Sequence, residues 1–282
     1  VERLDLGIGV GLRVCHYGEI FAGEPEVGFF EIISENFFAE GGPPRYNLDR
    51  ILERYTVVQH GVSLSIASSD PLDFDYLRRL KRLCAHTNTP WFSDHLCWSS
   101  AHGHHYHDLL PFPLTPETAR YVAERARIVQ DFVELPFALE NLSSYATFPG
   151  STLSEWEFVR LVAEEGDVQL LLDVNNVYVS ARNHGFDPRV YLDAVPWERV
   201  AQVHVAGHTE REDGLLLDTH DRPVRDEVWE LYRIAHQRTG GVSTLLEWDA
   251  HQPSFAETLA TAREALRYQD APCPLPEPQA SE

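Results

Sequence analysis

Glu140, Asp173, His204 and Glu247 each stand at or near the end of a short apolar run, and His60 and His95 stand within further runs of the same kind. The runs read VVQHGVSLSI, PWFSDHLCWSS, FALENLS, VQLLLDVNN, VAQVHVAGH and STLLEWD. A carboxylate that follows Phe137-Ala138-Leu139, Leu170-Leu171-Leu172 or Leu245-Leu246 is costly to bury unless it is paired or bound to a cation. Three such acids on three separate runs point to metal binding or catalysis. His60 alone would read as an ordinary rim or core histidine. His95 follows Asp94, a carboxylate able to orient it, because metal-bound imidazoles usually donate their second nitrogen to a carboxylate or carbonyl.

Further along, Asp218 and His220 lie two apart in LLLDTHDRP. In an extended segment such residues point the same way and can reach one ion. Asp221 reads as part of the start of the next helix. His204 and His208 are four apart, but VHVAGH reads as strand then turn, so the spacing does not place them on one helix face. The cluster HGHHYH at 102–107 resembles a metal tract, yet a Gly-containing loop of solvated histidines reads equally well. Asn183-His184, before Gly185, reads as a rim-loop contact. Imidazoles and carboxylates without thiolates suit Fe, Mn or Zn better than Ca, Mg or Cu(I). Their number, about four of each, exceeds what one octahedral ion can use and implies two or three ions.

These side chains need a scaffold that delivers them to one place. Strand-like segments lie near 6–12, 28–35, 57–66, 90–98, 137–142, 168–178, 200–206 and 243–249. Helical stretches lie between them. Residues 73–86 carry Phe74, Leu77, Leu80 and Leu83 at three-residue steps, with Tyr76 filling the stripe. Residues 116–134 follow a Thr115-Pro116 start, and Ser154 with Glu157 forms a capping-box sequence. Residues 223–238 and 254–268 complete the series. Eight alternating units predict an α/β fold, a closed (β/α)8 TIM barrel, with an open doubly wound sheet as the alternative. GIGVGLR supplies no phosphate-binding G-x-G-x-x-G at a helix start, which argues against a dinucleotide fold. In a barrel the functional rim is the C-terminal end of the strands. One domain over residues 1–268 and a flexible Pro-rich tail over 269–282 are expected.

Composition sets outer limits. With 43% hydrophobic and 24% charged residues the chain is an ordinary globular one, and 282 residues suffice for one α/β barrel. A formal charge of −21 disfavours nucleic acid and anionic membrane surfaces as partners. Cys15, Cys84, Cys97 and Cys273 form no CxxC pair and read as thiols of a reducing compartment. There is no run of the roughly 18 apolar residues that a membrane span needs, and no secretory signal pattern, so a cytoplasmic protein is expected.

The segments LGIGVGLR, FFEIISENFF, QHGVSLSI, SDHLCWS, HDLLPFPLT, ALENLSSY, LLDVNNVYVSARNHGFD, QVHVAGH, LDTHDRPV and LLEWD, in this order, carry a family resemblance. Over roughly residues 5–265 the chain resembles the DUF692 (UPF0276) group, the multinuclear non-haem iron-dependent oxidative enzymes that include the methanobactin-biosynthesis oxidase. The resemblance implies a xylose-isomerase-like barrel holding two or three irons, with His60, His95, Glu140, Asp173, His204, Asp218, His220 and Glu247 as ligands. Asn176 stands where some relatives have His, and its amide oxygen can still ligate. Glu35 and Asn36 look like family rim residues; with Asp94, Asn141, Asn175, His184 and His208 they are expected to support the ligands or meet substrate. The resemblance also implies oxidation of a ribosomally made precursor peptide, most often at cysteine, with dioxygen as co-substrate and a partner protein that binds the leader peptide. A metal-dependent isomerase or zinc endonuclease-like phosphodiesterase on the same barrel, or a non-catalytic metal-binding barrel, are the competing readings.

Overall fold

In the computed structural model, which describes residues 4–269, eight parallel strands close into a barrel. Twelve strands occur among the described residues: β1 Ile8–Gly11, β2 Phe29–Ile33, β3 Val57–Gly61, β4 Phe92–His95, β5 Trp98–Ala101, β6 His104–Leu110, β7 Phe137–Glu140, β8 Gln169–Asp173, β9 Val200–Val205, β10 Thr209–Glu210, β11 Leu216–Leu217 and β12 Ser243–Leu246. The barrel order is β1, β2, β3, β4, β7, β8, β9, β12, returning to β1. β5 with β6, and β10 with β11, form two small antiparallel ribbons outside it. The alternating pattern therefore resolves as the closed barrel, not the open sheet.

Why the strands present a polar site inside an apolar molecule follows from their period of two. Phe29, Val58, Trp91 and Leu245 form an apolar cluster of their own. Glu31, His60, Ser93 and Glu247 stand two residues further along the same strands or their ends. Each strand therefore turns an apolar residue and then a polar one to the same face, so the site rests on an apolar plug. Gly9 makes room for that plug, since a Cβ there would come within 2.6 Å of the Phe29 ring. The alternate residues, such as Phe30, Val57, Leu139, Leu170, Leu172 and Leu246, belong to the larger core between barrel and helices.

Several helices start as the sequence indicates. Thr115 accepts from the Thr118 N–H, and Ser154 and Glu157 complete a capping box before the helix Glu155–Gly166. Other expectations need correction. The segment 168–178 is not one strand: it ends at Asp173, whose Oδ1 accepts the Asn176 N–H at 2.6 Å and starts the helix Val174–His184. The side-chain cap outweighs the β-branched run that suggested a strand. HGHHYH is no loop but the turn and strand of the β5–β6 hairpin. Phe74 is 43% exposed, outside the buried stripe of its helix. The helix after Pro223 begins only at Asp226, leaving Asp221 in a turn where it accepts from Thr209 and Thr219. The helices Tyr17–Gly23, Gly42–Leu52 and Pro188–Ala194 carry no signal read in the sequence. The tail over 269–282 lies outside the described residues apart from Gln269, which ends the helix Ala265–Gln269.

Candidate metal centre

Parallel register brings the strand ends to one level. His95 pairs with Glu140 across β4 and β7, and Asp173 pairs with His204 across β8 and β9. Three sets of donor atoms result, each set lying within 4.8 Å of one another: His60, His95 and Glu140; Glu140, Asp173, His204 and Glu247; His220, Glu247 and Asp249. Glu140 belongs to the first two sets and Glu247 to the last two. They open into a cleft of about 700 Å³ that Asn176, Asp218 and Arg13 also line.

Each imidazole is aimed by what holds its other nitrogen. His60 Nδ1 lies 2.8 Å from Ser93 Oγ, and His95 Nδ1 lies 3.0 Å from the Gly61 carbonyl, so both turn Nε2 towards Glu140. His95 is thus oriented by a backbone carbonyl and not by Asp94, whose Oδ1 accepts the His95 backbone N–H instead. His204 is reversed: its Nε2 lies 3.2 Å from Glu31, and Nδ1 lies 3.3 Å from Glu247.

His220 arrives from outside the barrel. Its N–H donates to the Gly207 carbonyl and its own carbonyl accepts the Asp249 N–H. Gly207 has no Cβ to collide with the Arg222 carbonyl as the segment passes. His220 takes a left-handed φ of 46°, so the segment is not extended, yet its Nε2 still lies 2.5 Å from Asp218. A chain of contacts fixes Asp218 in turn: neutral His208 donates to Asn175 Oδ1 at 2.7 Å, and Asn175 Nδ2 donates to Asp218 Oδ1 at 2.7 Å. Burial holds His208 down at about 4, which keeps it the neutral donor.

A lattice of asparagines supports the middle of the site. Asn141 bonds both the Asp173 N–H and its carbonyl, and Asn176 Nδ2 donates to the Asn141 carbonyl at 3.0 Å. With the amide fixed this way, Asn176 Oδ1 is buried without a hydrogen-bond partner. So is Asp173 Oδ2, while Glu140 Oε2, His204 Nδ1 and His220 Nε2 meet only other acids and imidazoles of the cluster. This is the arrangement expected of N and O groups gathered to ligate cations.

The electrostatics agree. Burial opposes charge throughout, but neighbouring opposite charges override it at several groups. Glu140 is held low despite burial because His95 and His60 face it, and Glu247 is held far lower by His204 and His220. Burial depresses His60, yet Glu140 outweighs it and raises the imidazole to about 9. His204 and His220 are likewise raised against their burial by Glu31 with Glu247, and by Asp218 with Glu247. Asp173 is raised by burial and by Glu140. The N and O donor set, without thiolate, fits Fe, Mn or Zn.

The remaining expected residues fall outside the cleft lining. Glu35 accepts the N–H groups of Val62 and Ser63 and the Tyr76 hydroxyl, anchoring the loop after β3. Asn36 is exposed on a short 3-10 turn, and exposed His184 meets Ser144. Of the hairpin histidines, His105 and His107 line the cleft, with Asp108 and Leu109. Three residues of the site escaped the sequence reading. Glu31 sits inside FFEII, the same acid-in-apolar signal as Glu140, and was legible. Asp249 and Arg13, joined at 2.6 Å, gave no pattern of their own.

Comparison with known proteins agrees with the barrel fold. The model of the RiPP precursor modification enzyme MbnB/TglH/ChrH matches residues 7–270. The UPF0276 protein of Acaryochloris marina is 46% identical over 93% of this chain and 94% of its own length. That of Anaeromyxobacter sp. is 48% identical over 95% of each. Among solved structures, 3-keto-D-glucoside 4-epimerase from E. coli superposes with TM-score 0.57 at 16% identity, over 91% of this chain and 98% of that one. An L-ribulose 3-epimerase gives 0.57 at 13% identity, over 93% and 92%. At such identities the likeness shows the fold, a xylose-isomerase-like barrel, and nothing of the reaction.

Proposed function

This chain belongs to the RiPP precursor modification enzymes of the MbnB/TglH/ChrH family, and on that premise we propose that it is a multinuclear non-haem iron oxidase. It acts with dioxygen on a ribosomally synthesised precursor peptide, at a cysteine. The observation that supports this most is the convergence of these N and O groups around two shared carboxylates, Glu140 and Glu247. His60, His95 and Glu140 would hold one ion, and Glu140, Asp173, His204 and Glu247 a second. Asn176, Asp218, His220 and Glu247 would hold a third, with Asp249 at its edge. When bound, iron supplies dioxygen activation and a Lewis-acidic position for a substrate thiolate.

The chain's own residues do the rest. Glu140 and Glu247, each a member of two sets, would offset part of the charge of cations held on either side. The apolar plug below and the hairpin at the mouth limit water, and Arg13 offers the cleft a positive group beside its acids. A leader-binding partner protein and a cytoplasmic setting belong to the same proposal. Nucleic acid has no place in it, given the acidic lining. No helix among the described residues is long and apolar enough to cross a membrane.

Anaerobically purified protein should contain two or more irons per chain and consume oxygen with a cysteine-containing precursor peptide. Stoichiometric zinc without iron-dependent activity overturns the proposal, and turnover without oxygen favours the isomerase reading.

A further inference from the structure

The central donor set differs from its neighbour in how its histidine is backed. Ser93 Oγ and the Gly61 carbonyl, both neutral, hold the outer nitrogens of His60 and His95. His204 alone of these three meets a carboxylate, Glu31, at 3.2 Å, and alone turns Nδ1 to the centre. Glu31 is itself fixed. Gln202 Nε2 donates to Glu31 Oε2 at 2.6 Å, and Gln202 Oε1 accepts the Trp91 indole N–H at 3.0 Å. That indole donates only, so the Gln202 amide cannot be reversed and its N–H groups must face Glu31. Gln202 Nε2 also lies 2.8 Å from His204 Nε2. An imidazole that binds a cation through Nδ1 carries its proton on Nε2, and of the two groups beside that nitrogen only the Glu31 carboxylate can accept it, because the Gln202 amide nitrogen only donates. Trp91, Gln202, Glu31 and His204 form a buried column from the plug to the middle of the site.

We infer that Glu31 is a positioning residue, which fixes His204 as the Nε2–H tautomer and leaves Nδ1 free for the central cation. A carboxylate behind a ligating imidazole orients the ring and strengthens it as a donor, and losing such a partner typically weakens metal binding by about 10–100-fold. The inference rests on the metal-centre reading above. It goes beyond it by separating the central ion from its neighbours: only this ion depends on Glu31.

Two measurements test it, with cobalt(II) and zinc(II) as probes. In chelator-buffered titrations of the full chain, Glu31→Gln should weaken one cobalt site by about 10–100-fold and spare the rest. The melting temperature of the metal-free protein should not fall, since a buried charge has been removed. In a His204→Ala background the same substitution should add nothing to the loss. Unchanged affinity, an additive double variant, or a lower metal-free melting temperature with normal affinity each overturns the inference. The second measurement needs no variant. In the zinc-loaded, 15N-labelled parent, His204 should carry its proton on Nε2 and coordinate through Nδ1, and the opposite tautomer overturns it. A parent that binds neither metal overturns the metal centre itself, which is a different outcome from failure of Glu31 alone.

Discussion

At the scale of single residues, the site is governed by carboxylates that serve two places at once. Glu140 faces His60 at 3.0 Å and His95 at 3.4 Å on one side, and His204 at 3.7 Å on the other. Glu140→Gln keeps its volume and removes the shared negative charge. It should lose at least one iron per chain and lower peptide-dependent oxygen uptake by more than about 100-fold, beyond the loss of an outer partner. Metal analysis beside oxygen uptake checks this; full iron content in the variant would show that Glu140 bridges nothing. The acids at strand ends were legible because buried carboxylates are costly and therefore informative. Asp249 was not, because it is exposed and stands beyond Glu247, the acid that already ends its apolar run. Asp94 was misassigned for a different reason: adjacency in sequence places its carboxylate on the His95 backbone, not on the ring.

At the scale of elements, the strands deliver side chains by period and the loops deliver them by crossing. The eight strand positions could be read from apolar runs. Where β8 stops could not, since VNNVYVS suits a strand by composition and becomes a helix only because Asp173 caps it. The path of residues 218–223 was also invisible, because it depends on close approach to Gly207. In Gly207→Ala the new Cβ would collide with the Arg222 carbonyl and displace this segment. His220, and Asp218 beside it, should then move away from Glu247, while His60, His95 and Glu140 stay in place. The expected result is about one ion fewer per chain with the His60–His95 site intact, the cost of overlap falling on a single local segment. Cobalt titration with histidine NMR measures both; loss of every site together would mean that the crossing supports the whole barrel mouth.

At the scale of the molecule, the helical layer contains a titratable group that works against stability. Glu155 opens the helix Glu155–Gly166 beside the Tyr191 hydroxyl at 3.2 Å, and burial pushes its carboxyl up from 4.5 to about 8. The folded chain therefore holds this proton more tightly than the unfolded chain, and stability falls as pH rises between those values. Glu155→Gln should melt with the parent near pH 4 and about 8 °C or more above it at pH 8, since a shift of this size is worth several kcal/mol across that window, at about 2–4 °C per kcal/mol. Calorimetry across that range decides it; a gap that does not widen with pH means Glu155 is already charged when folded. The sequence by itself determined the eight alternating strand and helix units, the family resemblance and the strand-end acids and histidines, because a period of two and the cost of burying charge are written into local residue order; closure of the sheet came from the tertiary structure. Only the tertiary structure decided which of these groups come together in one set, that His204 turns Nε2 to Glu31, and that His220 and Asp249 share the third set with Glu247. Those facts depend on strand register, on backbone crossings and on partners from residues far apart in the chain, and no local pattern encodes them.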